Sequence, residues 1–142
     1  MTINEIRDYI KTQLEAAYAS KAMYPTIITT SLPISPQGNT ELEKEGVSKS
    51  DNGIVFIGRG VRAYNQKVRS LFEVDDPYYI LIYSNNKGGD TQINDLFDVA
   101  RSCVGIFMNL QFDFVGDVKG YKSGLYVAWL QCTWRTIYQA GG

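Results

Sequence analysis

The sequence predicts an α+β fold: a single domain over residues 1–142, with a mainly antiparallel sheet, two helices packed on it and a long polar arm. Three observations predict it. Segments 3–19 and 91–108 repeat apolar residues at helical spacing, whereas 54–57, 78–83 and 125–138 have the composition of strands. The order helix, strands, helix, hairpin contains no alternating βα repeat. At 142 residues the chain matches one domain, since a domain has about 100–200 residues and one of this size buries roughly 68–70% of its unfolded surface.

Ile3, Ile6, Ile10, Leu14 and Ala17 step by three and four, with Asp8, Lys11 and Glu15 between them, so the first helix is amphipathic. Thr2 and Glu5 have the spacing of a capping box at its start. Pro25 closes the linker, and the β-branched segment 26–30 predicts a short strand.

Composition changes over residues 31–53. Pro33, Pro36, Gly38, Gly46 and Gly53 surround a charged run containing Glu41, Glu43 and Glu45, and the few apolar residues cannot fill a core. Structureless loops beyond about 12–15 residues are usually functional, disordered or ordered by a partner. The segment therefore reads either as an assembly arm, replaceable by a short turn from Thr30 to Ile54, or as a self-packed hairpin.

Residues 54–57 form an apolar strand running into Gly58-Arg59-Gly60. The next segment fits two periods, and the alternation Val68, Ser70, Phe72, Val74 favours strand. Asp75-Asp76-Pro77 has turn chemistry, and 78–83 reads as a central strand.

Asp90 is a suitable N-cap for the second helix, whose face is marked by Ile93, Leu96, Phe97, Ala100, Val104, Phe107 and Met108. Gly105 inside it costs about 1 kcal/mol relative to Ala, which suggests a close backbone approach. A strand over 110–118, a turn around Gly120 and a last strand over 125–138 complete the chain. This last strand is about 14 residues, roughly 46 Å, against an ordinary length of about 5–6 residues. Tyr126, Ala128, Leu130, Cys132, Trp134 and Tyr138 share a face expected to be core throughout; the face of Leu125, Val127, Trp129 and Ile137 is only partly apolar. One core is expected to unite Ile3, Ile6, Ile10, Leu14, Phe97, Ala100, Val104, Phe107, Leu130 and Trp134.

Lys plus Arg is 14 and Asp plus Glu 15, a net charge of −1, so the totals do not argue for binding nucleic acid or an anionic membrane. Zero histidines remove the commonest general base and every His-containing metal site. Cys103 and Cys132 are too few for a four-thiolate site and too far apart for a Cys-x-x-Cys pair, so both are expected to be reduced core residues. Charges throughout residues 1–20 leave no apolar signal core, and a soluble protein of a reducing cytosol is expected.

No constellation predicts catalysis, a cofactor or a metal. Residues 84–91 lack phosphate-loop spacing. Asp75 with Asp76 reads as a turn, and Asp113 with Asp117 lies about 13 Å apart along a strand, too far to share a cation unaided. Arg59, Arg62, Lys67 and Arg69 cluster around Tyr64; this pattern can bind single strands, but four charges in a balanced chain favour protection of an edge strand or pairing with the acidic 41–45 run across a subunit interface. Ten tyrosines and two tryptophans are numerous for this length, and aromatics are enriched at interface cores. Candidate interface residues are Glu41, Glu43, Glu45, Arg59, Arg62, Lys67, Arg69, Trp129 and Arg135.

The order of helix 3–18, polar arm 31–53, strand 78–84 leading through 85–89 into helix 91–108, and a closing hairpin with Trp129, Trp134, Arg135 and Tyr138 resembles the tail terminator, or tail completion, proteins of long-tailed bacteriophages and related contractile particles. The likeness lies in the plan of most of the chain, not in a short motif. It implies a virion protein assembled in host cytoplasm: a six-subunit ring on the head-proximal end of the tail tube. Such a ring stops tube and sheath polymerisation and docks the head connector, and DNA can pass through it. It implies no catalytic residue and no cofactor. The alternatives are another head–neck or tail-assembly component, or a small-ligand binding module with a pocket between the tyrosine-rich sheet and the second helix; an enzyme ranks behind both.

Overall fold

The computed structural model describes residues 3–30, 52–85, 90–104, 112–122 and 125–139, excluding the side chains of Ile3, Lys67, Val104 and the strand 112–122. The described elements are α1 (Ile3–Ser20), β1 (Thr26–Thr29), β2 (Ile54–Arg59), β3 (Ala63–Val68), β4 (Leu71–Ser84), α2 (Thr91–Val104), β5 (Phe112–Lys122) and β6 (Leu125–Gln139). They make an α+β fold with a six-stranded sheet in the order β1-β2-β4-β6-β5, with β3 also paired to β4. All pairings are antiparallel except β1 with β2.

The helical stripe read in the sequence is the buried face of α1: Ile6, Ile10, Leu14 and Tyr18 are at most 1% exposed. They pack with Ile93, Leu96, Phe97, Ala100 and Cys103 of α2 over Val55, Ile57, Tyr78, Ile80, Ile82, Ala128, Leu130 and Cys132 of the sheet. Burying each large aliphatic side chain contributes about 1.5–3 kcal/mol, so this layer is the main apolar contribution to the fold. The buried Tyr18 hydroxyl donates to the Leu96 carbonyl at 2.9 Å, which ties α1 to α2. Ile6, Ile10, Leu14, Phe97, Ala100 and Leu130 of the expected core meet here, and Trp134 packs against them half-buried.

α1 ends in a paired backbone cap. Met23 N–H donates to Tyr18 O at 2.9 Å and Ala22 N–H to Ala19 O at 3.0 Å, while Ala22 sits at φ 55°. This is a Schellman ending with alanine where glycine is usual.

The other sheet face buries Ile54, Phe56, Leu81, Tyr83, Leu125 and Val127 as a second cluster. Phe56 and Tyr83 meet edge to face, with ring centroids 5.7 Å apart. Because both faces are buried around β2, its sequence is a continuous apolar run without alternation.

Four expectations need correction. Asp75, Asp76 and Pro77 do not form a turn; they lie inside the 14-residue β4. The Pro77 carbonyl accepts the Gly60 N–H at 2.8 Å. A strand residue aims its N and O at the same edge, so the missing proline N–H faces the gap where β2 ends opposite Tyr78 and β3 begins opposite Asp75. The proline therefore costs β4 no ladder bond to β6. Gly60 is required at that gap, since a Cβ there would stand 2.5 Å from the Tyr79 ring and 3.0 Å from Pro77.

Gly120 is likewise no turn. It lies within β5, at a register shift between Val118 and Gly120 opposite β6, where the chain has a bulge. Third, a short turn cannot replace residues 31–53. β1 and β2 run parallel, with Thr26 opposite Ile54 and Thr29 opposite Ile57, so Thr30 and Ile54 stand at opposite ends of the strand pair and a crossover must join them. Fourth, the inner face of β6 is not core throughout: it is buried at Ala128, Leu130 and Cys132, but Tyr138 is exposed.

The expected arm at 31–51, the Thr2 cap, the loop at 86–89, Gly105, Phe107 and Met108 lie outside the described residues.

Candidate functional site

The chemistry-bearing and exposed apolar groups gather at the end of the sheet remote from the β4–α2 connection. There β4 and β6 run on past the cores, pairing from Ser84 with Tyr126 to Leu71 with Gln139. Among the described residues, β5 pairs β6 no further than Trp134, and β2 pairs β4 no further than Tyr78. What extends beyond them is three-stranded: β3, the first half of β4 and the last residues of β6. Length alone produces this extension, because β6 has 15 residues and β2 has 6.

Each sheet face of this extension carries an ion pair. On the helix-bearing face Arg62 grips Asp76 with two hydrogen bonds, Nε to Oδ1 at 2.6 Å and Nη2 to Oδ2 at 3.0 Å. The Arg62 guanidinium also stands 6.0 Å from the Tyr64 ring centre. The hydrogen bonds to Asp76, then Tyr64, raise the Arg62 pKa further above its usual range. On the opposite face Arg135 Nε lies 2.9 Å from both Glu73 Oε1 and Asp75 Oδ1. Register explains the grouping, since Asp75 is directly opposite Arg135 and Glu73 is two residues along the same face.

Exposed large hydrophobics concentrate in the same place. Val61, Tyr64, Val68, Leu71, Ile137 and Tyr138 are all exposed, Val61 at 80% and Tyr64 and Ile137 at 66% each. Tyr24, beyond the end of α1, is the other large apolar group exposed among the described residues.

The candidate residues named from sequence are thus dispersed. Arg62 and Arg135 are in the extension but hold intrachain carboxylates. Arg59 closes β2 opposite Tyr78, and Arg69 lies exposed between β3 and β4, its carbonyl accepting from Gln66 Nε2 at 3.2 Å. Lys67 is in β3, with its side chain outside the description. Trp129 is half-buried against the second apolar cluster, and five residues lie between it and Arg135, roughly 20 Å along a strand. Glu41, Glu43 and Glu45 lie outside the described residues, as do the side chains of Asp113 and Asp117. The sequence places Val68 and Tyr138 on faces expected to be inward and Ile137 on the only partly apolar face of β6, so the exposed apolar set is not legible as a set. The available signal was the excess length of β6 over its neighbours.

The expected pocket between sheet and second helix is filled by the helix-facing core. A groove of about 430 Å³ runs instead along the outside of the helix pair, lined by Ala17, Ser20, Lys21, Asp98, Val99 and Cys103 among others. Burial pushes the Cys103 thiol up to about 11 and, with Cys103 nearby, the Cys132 thiol to about 12, so neither is an activated nucleophile at neutral pH. No helix is long and apolar enough to cross a membrane among the described residues. Comparison of the chain with family models and with curated proteins returns no significant match.

Proposed function

We propose that this chain is a structural assembly protein of the tail-terminator kind. In this reading copies of it form a ring, six by the family resemblance, that caps the head-proximal end of a phage tail tube, ends tube and sheath polymerisation and offers a docking surface to the head connector. The observation that carries the proposal is the sheet extension with Tyr64, Val68, Leu71, Ile137 and Tyr138 exposed on it. Apolar side chains gathered at one end of a sheet favour contact with a protein partner. The ion pairs set between them suit an interface that also selects its partner. Other head–neck and tail-assembly roles share this support.

The experiment is electron microscopy of the purified protein and of tails assembled with and without it. Closed rings, together with tails of uncontrolled length in its absence, are expected. Tails of normal length and head attachment without the protein overturn the reading. The apolar groove along α1 and α2 supports the second reading, a small-ligand module, for which a monomer that gains thermal stability with an apolar ligand is the expected result.

A further inference from the structure

We propose that Arg59, brought beside Arg62 on the helix-bearing face by an extra residue between β2 and β3, is an anion-docking point that takes an aspartate or glutamate side chain from a partner protein. That the partner is a protein rests on the assembly reading; the docking point itself rests on the sheet register.

β2 and β3 follow one another along the same side of β4, but not in one register. Arg59 stands opposite Tyr78 and Ala63 opposite Asp75, so four steps of one strand span three of the other. This offset of one residue is a bulge at Gly60-Val61-Arg62. Strict alternation would put Arg59 and Arg62, three positions apart, on opposite faces; the extra residue puts both on the face that bears the helices. There Arg59 shares the side of its partner Tyr78, a member of the helix-facing core, and Arg62 holds Asp76 through two hydrogen bonds. The bulge is fixed in place: Gly60 N–H donates to the Pro77 carbonyl at 2.8 Å, and a Cβ on Gly60 would stand 2.5 Å from the Tyr79 ring.

A third guanidinium comes from α1, whose Ile6 and Ile10 belong to the same core as Tyr78. Burial, then Asp76, raises the Tyr78 hydroxyl to about 12, while Arg62, Arg59 and Arg7 each lower it, so three cations lie around one aromatic ring. Their carboxylate neighbours are already engaged: Asp76 by Arg62 and Asp8 by Arg7. Glu5, two residues before Arg7, lies on the other side of the helix, and Glu73 and Asp75 are on the opposite sheet face with Arg135. Among the described residues, Arg59 has no ion pair or side-chain hydrogen bond, although it is half-buried. A guanidinium offers five N–H donors in a fork that fits a carboxylate. Val61 and Tyr64, both exposed beside it, suit a protein segment that carries its acid between apolar residues. A nucleic-acid backbone needs a run of uncommitted cations, and Arg62 and Arg7 are committed.

The test follows the arginine Nε–H and backbone amide resonances of the intact chain while a peptide of alternating leucine and glutamate is added. A saturable shift at Arg59 Nε–H is expected, and none with the same peptide carrying glutamine for glutamate. Arg59→Gln should bind the acidic peptide about tenfold more weakly, the least that losing a charged hydrogen bond implies, read from the amides of residues 60–64. Arg59→Lys keeps the charge without the fork and should recover part of that loss. Urea midpoints equal to the parent's show that the fold is intact; if Arg59→Gln unfolds, the glutamine peptide and Arg59→Lys decide. Equal shifts with both peptides, or no saturable shift at Arg59, overturn the proposal. Inorganic phosphate that saturates Arg59 at a lower concentration than the acidic peptide makes the site a position for an adventitious ion only, and an oligothymidylate strand that does so points to nucleic acid; either overturns it. Closed rings without peptide binding overturn the docking point and leave the ring reading standing. Peptide binding by a protein that forms no rings supports the docking point and counts against the ring.

Discussion

Arg62 and Asp76 show how a single residue pair can hold an unusual strand. Asp76 is 8% exposed in its side chain and Arg62 34%, so the carboxylate depends on the guanidinium for what water would otherwise supply. Breaking a buried pair by removing one partner costs about 3–5 kcal/mol; with Arg62 this exposed, Arg62→Ala is expected at the lower end, about 3 kcal/mol. Arg62→Leu combined with Asp76→Leu should recover much of that loss, because both the charge and its desolvation disappear. Urea midpoints at constant m-value check both. A double variant no more stable than Arg62→Ala would show that the pair does more than neutralise Asp76. In the sequence, Asp75-Asp76-Pro77 has the composition of a turn; the ladder with β6 and β3 makes the same residues strand, with Arg62 and Arg135 neutralising their carboxylates.

Among the elements, α1 was legible to within a residue of its end, because its apolar period and Pro25 are local signals. Its cap was not legible. Ala22 adopts the left-handed conformation, which costs an L-residue about 1–2 kcal/mol, while glycine there returns about 0.5–1 kcal/mol in unfolded-chain entropy. Ala22→Gly is therefore expected to stabilise the protein by about 0.5–1 kcal/mol, read as a higher Tm. Loss of stability would mean that the Ala22 methyl makes a contact outweighing its strain. β1 illustrates a different limit: four residues, Thr26–Thr29, read correctly as strand, but nothing in them says that they pair parallel with β2, because pairing direction is set by the path between strands and not by either strand.

For the molecule as a whole, the buried acids set an alkaline limit. Burial raises Cys103 from 9.0 to about 11, and burial followed by Cys103 raises Cys132 to about 12. Tyr78 rises from 10.0 to about 12, through burial and then Asp76, against a lowering by Arg62, Arg59 and Arg7. Burial, then Cys103, raises Tyr18 as well. Each group is neutral when protonated, so with a folded pKa above its unfolded value the unfolded chain loses protons first. The stability linked to these groups is intact below pH 9 and falls as pH rises from about 9 to 12. Denaturant midpoints measured from pH 8 to 11 should decline above 9, and Tyr78→Phe should flatten the decline. A flat profile to pH 11 would place these groups in water.

What the sequence determined by itself was the class and most of the elements: two amphipathic helices, a central apolar strand at β4 and an overlong last strand, all expressed in periodicity and run length, which are local. It also identified Ile6, Ile10, Leu14, Ala100 and Leu130 as core, because a stripe has only one apolar side to bury. Tertiary structure decided where the strands outlast their neighbours. Ile137 and Tyr138 have the same alternation as Leu125 and Tyr126, yet the former are exposed and the latter lie in or against the cores. The difference is whether β2, β5 and the helices reach that far, a property of several chain segments at once.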